Sequence, residues 1–146
     1  MKPYLQHARA LSAYGQATET LPAARQIVML YDGIVRRMEE ARLACLEGRI
    51  EDRWQATQKA ARICDALHAS LDHDRGGSVA AVLDHWYAMI GMKIQQVNVS
   101  NDPAGCAEVI ALVREVRASW DQLSTSATAP LLTDNANFGP SRATQA

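Results

Sequence analysis

Four stretches of this 146-residue chain place apolar side chains three and four positions apart, with short break signals between them. Successive helical residues point about 100° apart, so this spacing puts each set on one face of a helix. The first row is Ile27, Tyr31, Ile34, Met38, Ala41 and Cys45. The second is Trp54, Thr57, Ala61, Cys64 and Leu71, widened by Ala60, Ile63 and Leu67. The third is Val79, Val82, Leu83, Trp86, Ile90, Ile94 and Val97, and the fourth is Cys106, Ile110, Val113, Val116, Trp120 and Leu123. No alternating strand pattern competes with them.

The breaks carry helix-end chemistry. In Thr20-Leu21-Pro22 a residue able to cap precedes a proline suited to a first helical turn, where its missing N–H costs nothing. Gly48 suits the left-handed stop of a helix ending near Leu46. The second helix spans about Ile50 to Leu71, and Asp72-His73-Asp74-Arg75-Gly76-Gly77 breaks it before Ser78, a cap for the third. Asp102-Pro103 starts the fourth. Short connections make neighbours antiparallel, so the expected fold is all-α: an up-down four-helix bundle over residues 20–123. Residues 1–19 are expected to form a short segment packing on the bundle. Residues 124–146, rich in Ser, Thr, Ala and Asn with no apolar stripe, are expected to form a disordered tail.

Charge and cysteine content exclude several classes. Fifteen basic and sixteen acidic residues nearly cancel, and no basic stripe exists, so no nucleic-acid partner is expected. No apolar run approaches the roughly 18 residues of a membrane span, so no stable membrane insertion is expected. The start, MKPYLQHARA, lacks the hydrophobic region of a signal peptide, which points to a cytoplasmic location. The three cysteines, Cys45, Cys64 and Cys106, lie in apolar helical settings and read as buried reduced thiols.

Catalytic chemistry finds little support. The Glu-x-x-His pairs of a carboxylate di-iron bundle are absent. Gly76-Gly77 is not part of a phosphate-binding loop, and there is no nucleophile elbow. Cys64, His68 and Asp72 share a helix face, with His73 and Asp74 nearby, and define a weaker alternative: a metal-binding bundle. No enzyme activity, cofactor or metal is expected.

Apolar surplus is the remaining feature. Ile27-Val28-Met29-Leu30-Tyr31 is apolar all round the helix, more than one neighbouring core can cover. Val28, Met29 and Val35 fall outside the first row, Tyr87, Met89 and Met92 outside the third, and Val109 and Leu112 beside the fourth. A second apolar surface is therefore expected, closed by the N-terminal segment or by a partner. Each side chain so covered contributes roughly 1.5–3 kcal/mol relative to exposure, enough in sum to order a disordered partner. The other interaction reading is a helical module that self-associates through the same face.

Several short motifs occur in a particular order: Ala13-Tyr14, Val28-Met29-Leu30-Tyr31-Asp32-Gly33, Glu47-Gly48, Lys59-Ala60, Ser70-Leu71-Asp72 with Gly76-Gly77, Trp86-Tyr87 and Asn101-Asp102. In this order the chain resembles the FliS family of flagellin export chaperones, over about Ala13 to Leu123. The resemblance implies an antiparallel four-helix bundle in the cytoplasm that binds the disordered C-terminal segment of flagellin, prevents premature polymerisation and supports secretion in flagellum assembly. It implies that the N-terminal segment covers part of the same surface when flagellin is absent. It also associates the chain with the flagellar export gate and regulatory flagellar proteins, as a monomer or homodimer. On this sequence the implied flagellin-binding residues are Tyr14, Val28, Met29, Leu30, Tyr31 and Val35. The family's usual Ser-Pro-Glu-Lys-Leu entry to the first helix is replaced by Leu21-Pro22-Ala23-Ala24-Arg25-Gln26, and Arg49 stands where Asp is frequent. These departures bear on entry geometry and client choice more than on the fold.

Overall fold

The computed structural model describes the chain over residues 21–138, with side chains over 24–122. It contains four helices among the described residues: α1 (Leu21–Glu47), α2 (Ile50–Ala69), α3 (His73–Ser100) and α4 (Pro103–Phe138). The all-α four-helix bundle expected from the stripes is the fold observed.

Cross-bundle contacts give the topology. Tyr31 meets Trp120, Asp32 meets Arg117 and Glu39 meets Arg114, so α1 and α4 run antiparallel. Arg53 meets Asn98, Gln58 meets Gln95 and His68 meets Asp84, so α2 and α3 do too. α1 packs most intimately, against both α2 and α4. At Gly33 an added Cβ would stand 3.1 Å from Ile63 Cδ1, and this glycine lets α1 and α2 approach closely.

The helix ends follow local chemistry. Gly48 has φ 69°, the left-handed geometry glycine adopts without strain. Its N–H donates to Cys45 O at 3.4 Å and that of Arg49 to Ala44 O at 2.9 Å, the paired bonds of a Schellman stop. α3 starts earlier than the expected Ser78 cap. Asp72 caps it, accepting from the Arg75 N–H at 3.0 Å, and Gly77 (φ 52°, ψ −124°) kinks the helix after one turn. The side-chain cap holds the extra turn, and only glycine tolerates the kink.

α4 also extends beyond its expected end near Leu123, with helical backbone through Phe138. An apolar stripe marks where packing stops, whereas an established helix propagates at one hydrogen bond per residue. Residues 1–20, which include the expected N-terminal segment with Tyr14 and the expected Thr20 cap of α1, and residues 139–146 lie outside the described residues.

The core confirms most of the rows. Tyr31, Ile34, Met38, Ala41 and Cys45 on α1, Leu83, Ile90, Ile94 and Val97 on α3, and Cys106, Ile110, Val113, Val116 and Trp120 on α4 are all buried. Cys45, Cys64 and Cys106 are buried free thiols. Besides Val28, taken up below, four positions depart from expectation. Trp54 and Val82, placed on core rows, are 50% and 41% exposed, while Tyr87 and Val109, placed among the surplus, are 2% and 0% exposed. The rows were centred a little off the true buried arc, because a bundle helix faces two neighbours at once and buries the sector between them.

Candidate functional site

The apolar run on α1 divides. Val28 (8% exposed) and Tyr31 (0%) point inward, Ile27 is half-buried, and Met29 (66%) and Leu30 (40%) are exposed. Val28 therefore belongs to the core and not to the second surface expected for it. With Ala24, Tyr31 and Val35 it forms a row spaced four, three and four, and Val35 packs against the core while remaining half-buried. Tyr31, also expected to touch a partner, is wholly internal. Of the expected binding residues, Met29 and Leu30 offer exposed apolar surface, Val35 offers an edge, and Tyr14 lies outside the described residues.

Tyr31 anchors an aromatic cluster that crosses the bundle. Its hydroxyl lies 2.9 Å from that of Tyr87 and accepts from Trp120 Nε1 at 3.3 Å. Its ring stacks on Trp86 with centroids 5.9 Å apart and planes 12° apart, and meets Tyr87 edge-on at 6.4 Å. Burial drives the Tyr31 hydroxyl pKa well above the ordinary 10.0, so it stays a neutral donor and acceptor. The neighbouring Asp32 reaches outward instead, accepting from Arg117 Nε at 2.5 Å and Nη2 at 3.3 Å. The Tyr-Asp pair thus ties α1 to α3 and α4 on two levels: a buried hydroxyl bridge and a half-exposed ion pair.

Trp86 also leads to a second apolar strip. Val79, Val82, Trp86 and Met89 are spaced three, four and three along α3. The same row ends at Lys93, whose ammonium pairs with Glu108 of α4, so the row faces the α3–α4 seam. Leu112, one turn beyond Glu108, faces it from α4. Val79, Trp86, Met89 and Leu112 pack against the core without being sealed, and Val82 is exposed. The surplus positions Met89 and Leu112 were legible in the sequence. Their union with Val79, Val82 and Trp86 was not, because it depends on which helix lies beside α3.

The alternative metal set does not assemble. The Cys64 thiol donates to the backbone carbonyl of Tyr87 at 3.5 Å, and burial pushes its pKa up to about 11, away from the thiolate a metal needs. His68 Nε2 lies 2.7 Å from Asp84 Oδ1, and Asp72 serves as the α3 cap. Among the described residues no group of three metal-ligating side chains converges. No described helix is long and apolar enough to cross a membrane.

This arrangement has counterparts among known proteins. The family model described as Flagellar protein FliS matches residues 6–127. The flagellar secretion chaperone FliSB of Pseudomonas aeruginosa is 34% identical over 85% of this chain and 94% of its own length. The flagellar secretion chaperones FliS of Salmonella typhimurium and Vibrio cholerae are 31% and 30% identical, over 82% and 84% of this chain and 93% and 90% of their own lengths. With the motif order, the helical bundle and a match across nearly all of the described bundle, the chain belongs to the FliS family of flagellar proteins.

Proposed function

We propose that this chain is a cytoplasmic export chaperone for flagellin, with no catalytic role. It holds the disordered C-terminal segment of the filament protein, keeps it from polymerising early and supports its delivery for secretion. The observation that carries this reading is the division of the α1 motif. In a chain of this family, Met29 and Leu30 stand exposed beside wholly buried Tyr31, so the motif both builds the core and leaves apolar surface outside it. Together with the unsealed strip of Val79, Val82, Trp86, Met89 and Leu112, that surface suits an amphipathic segment that becomes helical on binding. The N-terminal segment, with Tyr14, covers part of the same surface when the client is absent. Contacts with the export gate and with regulatory flagellar proteins belong to the same role.

Calorimetry of the purified chain with a peptide of the flagellin C-terminal segment tests the reading. The expected result is saturable one-to-one binding with a negative heat-capacity change, the signature of apolar burial. A flat titration into the high micromolar range refutes it.

A further inference from the structure

The apolar strip between α3 and α4 carries a carboxylate at its lip with nothing to pair with. α3 ends at Ser100 and α4 begins at Pro103, so the two run antiparallel, and the Lys93 ammonium of α3 pairs with Glu108 of α4 across their seam. Seven residues back from Lys93, two helical turns, stands Trp86, and seven residues on from Glu108 stands Glu115. Glu115 thus repeats the position of Glu108 farther along the seam, but the residue level with it on α3 is an indole instead of an ammonium. Glu115 is exposed, and no hydrogen bond or ion pair joins it to another described residue. Its neighbours one turn away on α4, Ala111, Leu112, Ala118 and Ser119, carry no charge. On α3 the row outside Trp86 is Ser78, His85 and Met92, with no carboxylate in it.

The seam is therefore a groove with an apolar floor, a carboxylate on one lip and a closed end. The Lys93–Glu108 bridge closes it, because it spans from one helix to the other. The floor from Val79 to Met89 is roughly 15 Å long at the helical rise, the length of about three turns of a partner helix. A partner that covers the floor also takes water from Glu115. Covering a bare carboxylate is costly, whereas a cation brought by the partner offsets that cost and rejects partners that lack one. A lysine or arginine one position outside the partner's apolar stripe can lay its methylene stem on the Trp86 indole and place its charge at Glu115. Building on the chaperone reading above, we infer that Glu115 is the specificity residue of the α3–α4 groove. It selects a client helix of about three turns that carries a lysine or arginine beside its apolar face and supplies to Glu115 what Lys93 supplies to Glu108.

Calorimetry of the full chain with the flagellin C-terminal peptide tests this by charge reversal. Glu115→Gln should weaken binding about threefold and Glu115→Lys about tenfold, both with unchanged thermal unfolding because the side chain is exposed. Both differences should shrink at about 1 M salt. Glu51→Lys makes the same charge change on exposed α2, away from the seam, and should leave binding as in the parent. Each lysine and arginine of the peptide is then changed in turn to glutamate, and one such peptide should bind the Glu115→Lys chain better than it binds the parent. Three results overturn the inference: a Glu115→Lys chain that binds as tightly as the parent, a loss matched by Glu51→Lys, or a peptide series with no rescued reversal. Each leaves the chaperone reading standing, because the parent chain still binds; a parent that takes up no peptide overturns both. If Glu115→Lys instead lowers the melting temperature and Arg9→Glu restores it, the lip belongs to the chain's own N-terminal segment, which also overturns the assignment to the client.

Discussion

The hydroxyls of Tyr31 and Tyr87 lie 2.9 Å apart at the centre of the bundle, joining α1 to α3 across its diagonal. Trp120 Nε1 donates to the same Tyr31 oxygen at 3.3 Å, so one buried phenol satisfies polar groups from two other helices. A polar bridge in an apolar interior is costly to break, because each partner left behind loses both water and its hydrogen bond. Tyr31→Phe is therefore expected to lower stability by about 1–3 kcal/mol, since it removes the buried hydrogen bonds of the Tyr31 hydroxyl with the Trp120 indole N–H and the Tyr87 hydroxyl. Adding Tyr87→Phe should cost less than the sum of the single changes. Urea unfolding of the two singles and the double measures that coupling, and strict additivity would mean the bridge is not a unit.

Val28 and Met29 are adjacent yet opposite in fate, 8% and 66% exposed. Val28→Asp buries a charge against the core and should cost about 3 kcal/mol or more, lowering the melting temperature sharply. Met29→Asp should leave stability within about 0.5 kcal/mol and instead weaken flagellin-peptide binding about tenfold or more. Thermal unfolding and calorimetry on the two variants separate these outcomes. A stable Val28→Asp protein would contradict the inward placement of that side chain.

Gly77 and Gly91 both lie within α3 and should respond to alanine with opposite signs. At Gly77 the backbone has φ 52° and an added Cβ meets nothing within 4 Å, so the cost of Gly77→Ala is backbone strain, roughly 1–3 kcal/mol. Gly91 also has open space around an added Cβ but is ordinary helix. Gly91→Ala should stabilise by about 0.5–1 kcal/mol. Melting temperatures that move in the same direction for both would refute this account of the kink.

The hydrogen bond from His68 holds the Asp84 carboxyl below its ordinary value of 3.8. A carboxylate whose folded pKa is depressed contributes stability that is present above its unfolded value and is lost as pH falls through the folded one. The stability difference between the parent and Asp84→Asn should therefore shrink as pH drops below about 4. The pair is half-exposed, so the effect is modest and screened by salt. Urea unfolding at stepped pH checks it, and a gap that widens on acidification would reverse the sign argued here.

Much of this protein was readable in one dimension. The apolar spacing places α1 to α4, because a helix needs one continuous face to bury and its period shows in the chain. Gly48 and Asp102-Pro103 mark ends for equally local reasons, the first a left-handed backbone and the second the start of a helix. The motif order was enough to suggest the family. What the tertiary structure alone decided is the fate of residues beside the rows. Val28, Tyr87 and Val109 are core and Trp54 is not, because each helix buries the sector between two neighbours, and the direction of those neighbours is not encoded in its own period. The same reason separates the apolar faces. Whether an exposed Met29, an unsealed Trp86 or a half-exposed Trp54 belongs to one surface or to several depends on which helices lie side by side, and only the packed bundle determines that.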